Sequence, residues 1–537
     1  MPVDYLPQHP EREHWDVIIV GTGMGGSTVG YELARRGRRV LFLEKGKLLH
    51  GDPGASVPPP PAADLAELRM GAGCWPLPLQ GETSFGKIEF YAPWGCGSGG
   101  STSIYGAQLE RFSPADFRPR ANFPDVPDAN LPERWPISYD ELVPYYRRAE
   151  ALYRVYGTPD PLNPDPDTSL RVPPPLSARD QVLYESFLQL GLHPYRSHVG
   201  FDYGQACREC LRHCAQGCKS DAGRVCLMPA LTHHGARILP ECEVLALVAD
   251  NGRVSAVRGR WKGAEITIPA NAVVLAAGAL MTPLLLLNSR SSRWANGLAN
   301  RSGQVGRNLM LHTSDYVAID PGEWYSAQGP VRAVALNDFY VDDGQKLGNL
   351  QSLGFPEALG PSFMLEYLRF IEVKEPHWWR RLTHPFLPLV ARLAPRVLRR
   401  ASLFATIVED LPLERNRILP DPNAWNGMRF EYQYTRELWS RNRRFRKRIA
   451  EVLSSRHRVT VVTGSRNNLN YGHVCGTCRF GEDPATSVLD GTNRAHDLDN
   501  LYVVDASFFP SSGGTNPSLT IAANALRVGG IIHDRLP

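Results

Sequence analysis

The segment Asp16-Val-Ile-Ile-Val-Gly21-Thr-Gly-Met-Gly-Gly26 decides how the fold begins. Its four apolar residues form a short continuous run that ends in glycine, which is typical of a strand buried in a parallel sheet. Gly21, Gly23 and Gly26 then give the spacing G-x-G-x-x-G, and residues 27–36 predict a helix. The segment therefore predicts a strand, a glycine-rich turn and a helix in direct succession.

A second apolar strand, residues 40–43, ends at Glu44. An acid at this distance from the first strand is typical of proteins that bind a dinucleotide through its ribose hydroxyls. Glycines, including Gly25, let the backbone approach a pyrophosphate, which the N-terminus of a helix attracts. The Glu44 carboxylate would repel a 2′-phosphate, so FAD or NAD is favoured over NADP. The alternative is a glycine-rich turn without a ligand.

The composition is that of an ordinary globular protein. A hydrophobic fraction of 43% and a charged fraction of 21% exclude a disordered or collagen-like chain. Lys and Arg number 59 and Asp and Glu 55, an excess too small to indicate nucleic-acid binding. Nothing in the composition narrows the function beyond an enzyme or a binding protein.

No segment predicts secretion or a membrane span. The first sixteen residues carry four acidic side chains and no apolar core, unlike a Sec signal peptide. The uncharged stretch 266–289 is long enough to cross a bilayer, but Pro269 and Pro283 interrupt it. It predicts a buried strand followed by a helix, and the protein is expected to be soluble and cytoplasmic.

Further motifs lie along the chain. A second glycine-rich segment runs from Gly95 to Ser101 and includes Gly99 and Gly100. A long flavin cofactor uses two such loops more readily than NAD does. Residues 272–278 predict another buried strand, with a helix over 281–288, and residues 500–505 predict a strand. Asn516 and Pro517 then suit the N-cap and the first position of a long apolar helix.

In its ordered set of motifs the sequence resembles the glucose–methanol–choline (GMC) oxidoreductase family of FAD enzymes. Any one of these motifs is weak evidence, but their order along nearly the whole chain is specific. The motifs are the N-terminal glycine fingerprint, Gly95 to Ser101, Trp135-Pro136 with Tyr145-Tyr146, Gly306-Arg-Asn-Leu with His312, His473-Val-Cys-Gly-Thr477, residues 500–505 and Gly514-Thr-Asn-Pro517.

The resemblance implies an α/β protein, α+β overall, with two domains assembled from discontinuous segments. A Rossmann-like FAD-binding domain would comprise residues 1–120, 195–315 and 466–537. A substrate-binding domain around a mostly antiparallel sheet would comprise residues 121–194 and 316–465. The resemblance also implies oxidation of an alcohol to a carbonyl by hydride transfer to flavin N5.

The same resemblance assigns the site residues. His473 is the expected base for the hydroxyl proton, since a neutral imidazole is available near neutral pH. Asn516 occupies the partner position, where its amide can hydrogen-bond the substrate oxygen. The helix that starts at Pro517 points its N–H groups at the flavin pyrimidine edge. Asp505 and Ala506 are expected beside the cofactor. Since residues 95–105 contain no histidine, we expect FAD to be non-covalent.

Six of the ten cysteines are clustered within 36 residues. The spacing of Cys207, Cys210, Cys214 and Cys218 is compatible with an iron–sulfur cluster, which some family dehydrogenases carry in this region. Structural thiols or disulfides are the favoured interpretation of this segment, and the cluster and zinc are the alternatives. Cys475 and Cys478 form a second pair, which suits a redox couple, or a zinc site with His473, less well than it suits the family motif.

Substrate specificity is expected to reside between His312 and Val462, and the segment from about 363 to 408 is the expected lid-like region. Apolar and aromatic residues alternate there with arginine, and residues 376–408 contain no acid. This pattern suits a lid over a bulky or lipophilic alcohol, or a helix at a membrane surface. The alternative is a solvated amphipathic helix pair packed on the body of the protein.

The sequence leaves open the electron acceptor, the oligomeric state and the choice between the main function and two alternatives. The electron acceptor could be oxygen, a quinone or a redox protein, and no residue identifies the oligomeric state. A sugar or glycoside dehydrogenase that transfers electrons through a cysteine-bound cluster is the first alternative function. A flavin-bound lyase on the same fold is the second.

Overall fold

The computed structural model describes residues 5–50, 65–163, 165, 167–203, 214, 217–353, 384–462 and 468–537. Its α-helices are α1 Met24–Arg35, α2 Leu65–Gly71, α3 Pro119–Asn122, α4 Tyr139–Leu152, α5 Ala178–Gln189, α6 Met228–His233, α7 Met281–Asn288, α8 Leu387–Val397, α9 Arg436–Leu453 and α10 Ser518–Arg535.

Most of the strands fall into four sheets, and one short hairpin stands apart. The strands are β1 Val17–Val20, β2 Val40–Leu43, β3 Leu79–Thr83, β4 Gly86–Phe90, β5 Tyr195–Arg196, β6 Arg237–Leu239, β7 Glu243–Asp250, β8 Arg253–Trp261, β9 Ala264–Pro269, β10 Ala272–Leu275, β11 Met310–Thr313, β12 Tyr316–Asp320, β13 Val334–Leu336, β14 Val341–Asp342, β15 Gln345–Lys346, β16 Gly348–Ser352, β17 Ser402–Val408, β18 Arg417–Pro420, β19 Met428–Tyr432, β20 Arg458–Val461, β21 Leu469–Cys475 and β22 Leu501–Val503.

The first sheet is parallel and has the order β22-β10-β1-β2-β6. Its strands are buried on both faces, which explains their continuous apolar runs. Val17 and Ile19 of β1 pack with the side chains of α1 and α10, whereas Ile18 packs on the opposite face with residues of β7–β9. Because β2 and β10 lie on opposite sides of β1, the carboxyl end of β1 is a switch point, where ligands bind in such sheets.

The other sheets are largely antiparallel. The largest contains the path β20-β12-β17-β16-β13-β5, with β11 and β21 joined through β17. Strands β3 and β4 pair with β18 and β19, and β7, β8 and β9 form a meander. The predicted fold class, a Rossmann-like sheet with a mostly antiparallel second sheet, is therefore confirmed.

The predicted domain boundaries stay a prediction. Strands β11 and β21, which those boundaries assign to the FAD-binding domain, pair within the antiparallel sheet. The hairpin β3–β4, from the first predicted segment, extends a sheet whose other strands come from residues 417–432. Both connections join strands from the two predicted domains within one sheet.

The predicted elements around the motifs are present, with two shifts in their bounds. Helix α1 begins at Met24, three residues before the predicted start, because Gly25 and Gly26 form part of its first turn. Helix α10 begins at Ser518, so Pro517 takes the N-cap position that was predicted for Asn516, and no side chain caps this helix. Helix α7 has the predicted bounds.

No helix within the described residues is long and apolar enough to cross a membrane. The expected lid-like region is covered in part, since residues 363–383 lie outside the described residues. In the described remainder, α8 buries Leu387 and Ala391 and leaves Leu389 and Leu393 exposed. Strand β17 follows and is buried throughout.

Candidate active site

A cavity of about 390 Å³ opens at the carboxyl ends of the parallel strands. Most of the predicted site residues line it together, although they come from segments far apart in the chain. These residues are Gly21, Gly23, Gly25, Glu44, Gly95, Gly100, Ser101, His473, Asp505, Ala506 and Pro517. Gly26, Gly99 and Asn516 are not among the residues of the described chain that line this cavity.

In the glycine-rich turn there is room for a side chain at Gly23 and none at Gly25. A Cβ at Gly25 would lie 2.1 Å from the carbonyl oxygen of Val504, so α1 packs against the end of β22 only without a side chain there. A Cβ at Gly23, in contrast, would meet no atom within 4 Å. The N-terminus of α1 therefore faces an open cradle, which suits an anion such as a pyrophosphate.

The two glycine-rich segments touch each other. Gly100 has a φ of +52°, and a Cβ at this position would lie 2.8 Å from the Cα of Gly23. Gly99 has a φ of +86° and packs beside Asp221 and Gly223. The second segment thus forms a wall of the cradle, as the sequence predicts for a long cofactor.

Glu44 joins these segments through four hydrogen bonds. Its Oε2 accepts from the backbone N–H of Thr22 at 3.0 Å and from the Thr22 hydroxyl at 2.6 Å. Its Oε1 accepts from the N–H groups of Gly46 at 2.9 Å and Gly97 at 3.1 Å. Burial raises the pKa of this carboxyl. Since a carboxylate has about four acceptor positions, these four donors saturate it.

His473 reaches the cavity from an irregular part of β21. Met310 pairs with Cys475 and His312 pairs with Asn470, so residues 471–474 lie opposite the single residue Leu311. Bulges of this kind redirect side chains and are common beside active sites. The bulge, rather than a regular strand, gives the His473 imidazole its position in the cavity wall.

His312 lies directly behind His473, and the two imidazoles are in contact. Their Nδ1 atoms are 3.0 Å apart, and the ring planes are nearly perpendicular, at 88°. Burial, and secondarily the neighbouring His312, hold the pKa of His473 well below its usual value. Burial also lowers the pKa of His312 to about 4. Both imidazoles are therefore neutral at neutral pH.

Asn516 and Asp505 differ in their surroundings. The Oδ1 of Asn516 is buried and has no hydrogen-bond partner among the described residues, so a donor from a bound molecule would satisfy it. Asp505 is saturated, since it accepts from the N–H groups of Gly278 at 3.0 Å and Ser507 at 2.9 Å and from two hydroxyls. Burial raises the pKa of Asp505.

A buried charge cluster supports the loop before α10. Lys346 lies between the carboxylates of Asp116 and Glu409, all three side chains being fully buried. Burial alone would lower the pKa of Lys346, but the two carboxylates outweigh it and raise that pKa. The Tyr340 hydroxyl donates to Asp116 at 2.7 Å and accepts from the Gly514 N–H at 2.8 Å. The cluster therefore fixes the backbone next to Asn516.

Sequence reasoning missed three residues at this site. Trp94 lines the cavity and donates from Nε1 to the carbonyl oxygen of Tyr471 at 2.6 Å, and its place next to Gly95 was an available signal. Asn426 lines the cavity from the loop after β18, and nothing in the sequence indicated it. His312 stood in a family motif without an assigned role.

The structure describes only some of the cysteines for which the sequence makes predictions. Cys207 and Cys210 lie outside the described residues, and the Sγ atoms of Cys214 and Cys218 are 3.2 Å apart. In the described parts of the chain, no three His, Cys, Asp or Glu side chains converge as metal ligands. Cys475 and Cys478 are buried, and burial raises their pKa well above the usual value, which disfavours thiolates there. The iron–sulfur alternative stays a prediction.

Comparison with known proteins identifies the family. Family models described as GMC oxidoreductase match residues 15–314 and 408–525. Paromamine 6′-oxidase of Streptomyces fradiae is 31% identical over 96% of this chain and 90% of that protein. 2-Methyl-1,2-propanediol dehydrogenase of Mycolicibacterium austroafricanum is 27% identical over 97% and 95%.

Solved structures agree in fold. Pyridoxine 4-oxidase from Mesorbium loti superposes with a TM-score of 0.66 at 21% identity, covering 97% of this chain and all of that one. An Aspergillus oryzae formate oxidase variant gives 0.64 at 16% identity, covering 97% and 98%. The family resemblance drawn from the ordered motifs is confirmed: the chain belongs to the GMC oxidoreductases and is an FAD-dependent oxidoreductase that acts on CH–OH groups.

Proposed function

We propose that this protein oxidises a polar alcohol to a carbonyl compound, with His473 as the base that takes the hydroxyl proton. The observation that carries the proposal is that the His473 imidazole and the glycine-rich N-terminus of α1 line one cavity. A dinucleotide cofactor and an alcohol bound in this cavity would meet beside the same neutral imidazole. At neutral pH the lowered pKa of His473 leaves it free to accept a proton.

The residues of the cavity fit FAD. The open cradle at Gly23 would hold the pyrophosphate on the N-terminus of α1, and Glu44 would take a ribose hydroxyl in place of Thr22. The Thr22 hydroxyl has an alternative acceptor in the Gly97 carbonyl oxygen, 3.4 Å away. Pro517 has no N–H, so the N–H of Ser518, in the first turn of α10, would face the pyrimidine edge. FAD bound there supplies the hydride acceptor, and we propose that its binding is non-covalent.

The other groups of the site orient the alcohol. The Asn516 amide nitrogen would donate to the substrate oxygen and hold the carbinol carbon in one orientation, while its unpartnered Oδ1 would accept from a further hydroxyl or amino group. The backbone before it is fixed by Tyr340 and by the Lys346 cluster, so this amide has little freedom to move away.

The polar groups near Asn516 favour a substrate with several hydroxyl or amino groups. Gln351 donates to Gln108 at 3.1 Å, yet Gln351 Oε1, Gln108 Nε2 and Thr515 Oγ1 are buried without partners among the described residues. The backbone of Asn349 in the same strand donates to the Gly514 carbonyl oxygen at 2.9 Å, which brings this strand to the loop before α10. Buried polar atoms of this kind require partners from a ligand or from water.

The relatives are compatible with this preference. The names of two relatives that are 31% identical describe oxidases of paromamine and of a hydroxyparomomycin. The expectation of a lipophilic alcohol depends on residues 363–408, of which 363–383 lie outside the described residues. We therefore place polar alcohols first in the experiment and lipophilic alcohols second.

Anaerobic titration of the purified holoenzyme with an alcohol panel tests the proposal. The panel contains amino sugars, other sugars, short diols and aliphatic or aryl alcohols, and flavin absorbance reports reduction. Bleaching by the amino sugars or sugars supports the proposed substrate class, whereas bleaching only by aliphatic or aryl alcohols overturns that class. A flavin that no alcohol reduces favours the lyase alternative. Readmitting oxygen, or adding a quinone instead, then identifies the electron acceptor.

A further inference from the structure

The imidazole of His312 is completely buried on β11, and both of its nitrogens have defined neighbours. Nε2 lies 2.9 Å from the carbonyl oxygen of Gly513 and 3.1 Å from that of Ser512. Nδ1 lies 3.0 Å from Nδ1 of His473. The protonation of His312 can therefore be assigned from its contacts.

The two carbonyl oxygens determine which nitrogen of His312 carries the proton. A carbonyl oxygen only accepts hydrogen bonds, so Nε2 must be the donor. His312 carries a single proton, because burial lowers its pKa to about 4. The nearest charged groups are Asp116, which raises this pKa, and Lys346, which lowers it, and the two are paired with each other. The Nδ1 of His312 is thus unprotonated and can only accept.

The proton position on His473 follows from this assignment. Two unprotonated nitrogens 3.0 Å apart would set their lone pairs against each other, so Nδ1 of His473 must carry a proton and donate to His312. A neutral imidazole has one N–H, and the Nε2 of His473 is therefore left with its lone pair free.

A contact with Asn470 would favour an unprotonated Nδ1 on His473, but the contact with His312 outweighs it. The amide Nδ2 of Asn470 lies 3.3 Å from Nδ1 of His473, and Asn470 is oriented by accepting the Gly472 N–H at 3.0 Å. If Asn470 donated to His473, the shorter contact with His312 would become a repulsion between lone pairs. The 3.0 Å contact between the imidazoles therefore decides the tautomer, and Asn470 serves as a packing neighbour.

We propose that His312 is a positioning residue, which holds His473 in the Nδ1–H tautomer and so makes Nε2 the atom that accepts the substrate proton. The inference rests on the proposed function for its catalytic meaning, but the tautomer itself is a property of the two side chains. The connection also extends to the loop before α10, since the carbonyl groups that orient His312 belong to Ser512 and Gly513, four and three positions before Asn516. One hydrogen-bonded chain therefore joins that loop to the base.

Nitrogen-15 NMR of the holoenzyme, labelled at its histidine imidazoles, measures the tautomers without turnover. Protonated and unprotonated nitrogens have well-separated shifts, and the variants His312→Asn and His473→Gln assign the two residues by loss of their signals. We expect an N–H at Nδ1 of His473 and at Nε2 of His312. An N–H at Nε2 of His473 would overturn the inference.

Two substitutions at His312 then separate positioning from packing. His312→Leu removes the acceptor, and we expect the rate of flavin reduction to fall by up to about 10,000-fold, the size of the effect that a wrong histidine tautomer has in a catalytic triad. His312→Asn places an amide oxygen near the former Nδ1, and we expect it to restore most of that loss. His457→Leu is the matched control, since His457 is buried and bonded to Ser186, and it should leave the rate unchanged.

The outcomes distinguish this inference from the proposed function. A native reduction rate in His312→Leu with bound FAD would remove the positioning role, whatever the role of His473. Equal losses in the Leu and Asn variants would assign His312 to packing alone. If the tautomers are as expected but His473→Ala reduces flavin at the native rate, the proposed base is wrong, and with it the catalytic meaning of the tautomer.

Discussion

Glu409 accepts a hydrogen bond from the backbone N–H of Gly513 at 3.2 Å, while its second carboxylate oxygen contacts the buried ammonium group of Lys346. The loop before α10 is therefore fixed by a charged group beneath it. Removing one charge from such a buried set leaves the others uncompensated, which is costly even where the intact set adds little net stability.

We expect Lys346→Met to lower the free energy of unfolding by about 3–5 kcal/mol, because two buried carboxylates lose their cation. Urea denaturation followed by circular dichroism measures the change. The control is Lys447→Met, since Lys447 is largely exposed and its ion pair with Glu451 lies on the surface. That variant should change the free energy of unfolding by less than about 1 kcal/mol, and equal losses would contradict the role of burial.

His473→Ala should retain FAD and slow flavin reduction by about 100- to 10,000-fold, the usual contribution of a general base. Stopped-flow absorbance under anaerobic conditions measures the rate, and the flavin-to-protein ratio measures retention. His193→Ala, which alters an exposed histidine paired with Asp338, is the control. Undiminished reduction in His473→Ala would exclude His473 as the base.

Gly23 and Gly25 should respond differently to alanine. Gly25→Ala places a methyl group against the Val504 carbonyl oxygen, and we expect it to destabilise the apoprotein by about 3 kcal/mol. Gly23→Ala meets open space in the protein, so the apoprotein should unfold like the wild type while FAD affinity falls. Thermal unfolding with and without FAD checks both results. Similar destabilisation of the two apoproteins would contradict the open cradle at Gly23.

Stability should fall as pH rises through the titration of His198. Burial alone would lower the pKa of this imidazole, but Glu110, 2.9 Å away, raises it to about 9. The folded protein therefore binds an extra proton between the ordinary value near 6.5 and pH 9. This contribution, about 3 kcal/mol, is complete below pH 6.5 and is lost as pH rises through 9. His198→Gln should flatten the pH dependence of unfolding in that range, and an unchanged slope would refute the assignment.

The sequence predicted those parts of the fold that local pattern determines. Local signals mark the continuous apolar run Val17–Val20, the glycines after it and the apolar segment 281–288, and the structure agrees with them. The common position of Glu44 and His473 on one cavity was predictable only through the ordered family motifs. The expected N-cap role of Asn516 was wrong because α10 begins one residue later.

The contact between His312 and His473 could not be predicted from the sequence. The residues are 161 positions apart, and they meet because β21 bulges by several residues opposite Leu311. No propensity or spacing marks such an irregularity in advance. The saturation of Glu44 by four donors likewise depends on how two distant turns meet, so the sequence indicated the acid but not its partners.

In the parallel sheet, elements that pack together are translated at very different times. Strand β22 pairs with β10 but is translated 226 residues after it, and α10, which covers α1, follows later still. At about 5–20 residues per second, the ribosome needs roughly 10 to 45 s to supply these partners. During this interval the nascent chain exposes the edge of β10 and the apolar side of α1. The emerging protein should therefore depend on chaperones until β22 and α10 have been translated and have packed against these surfaces.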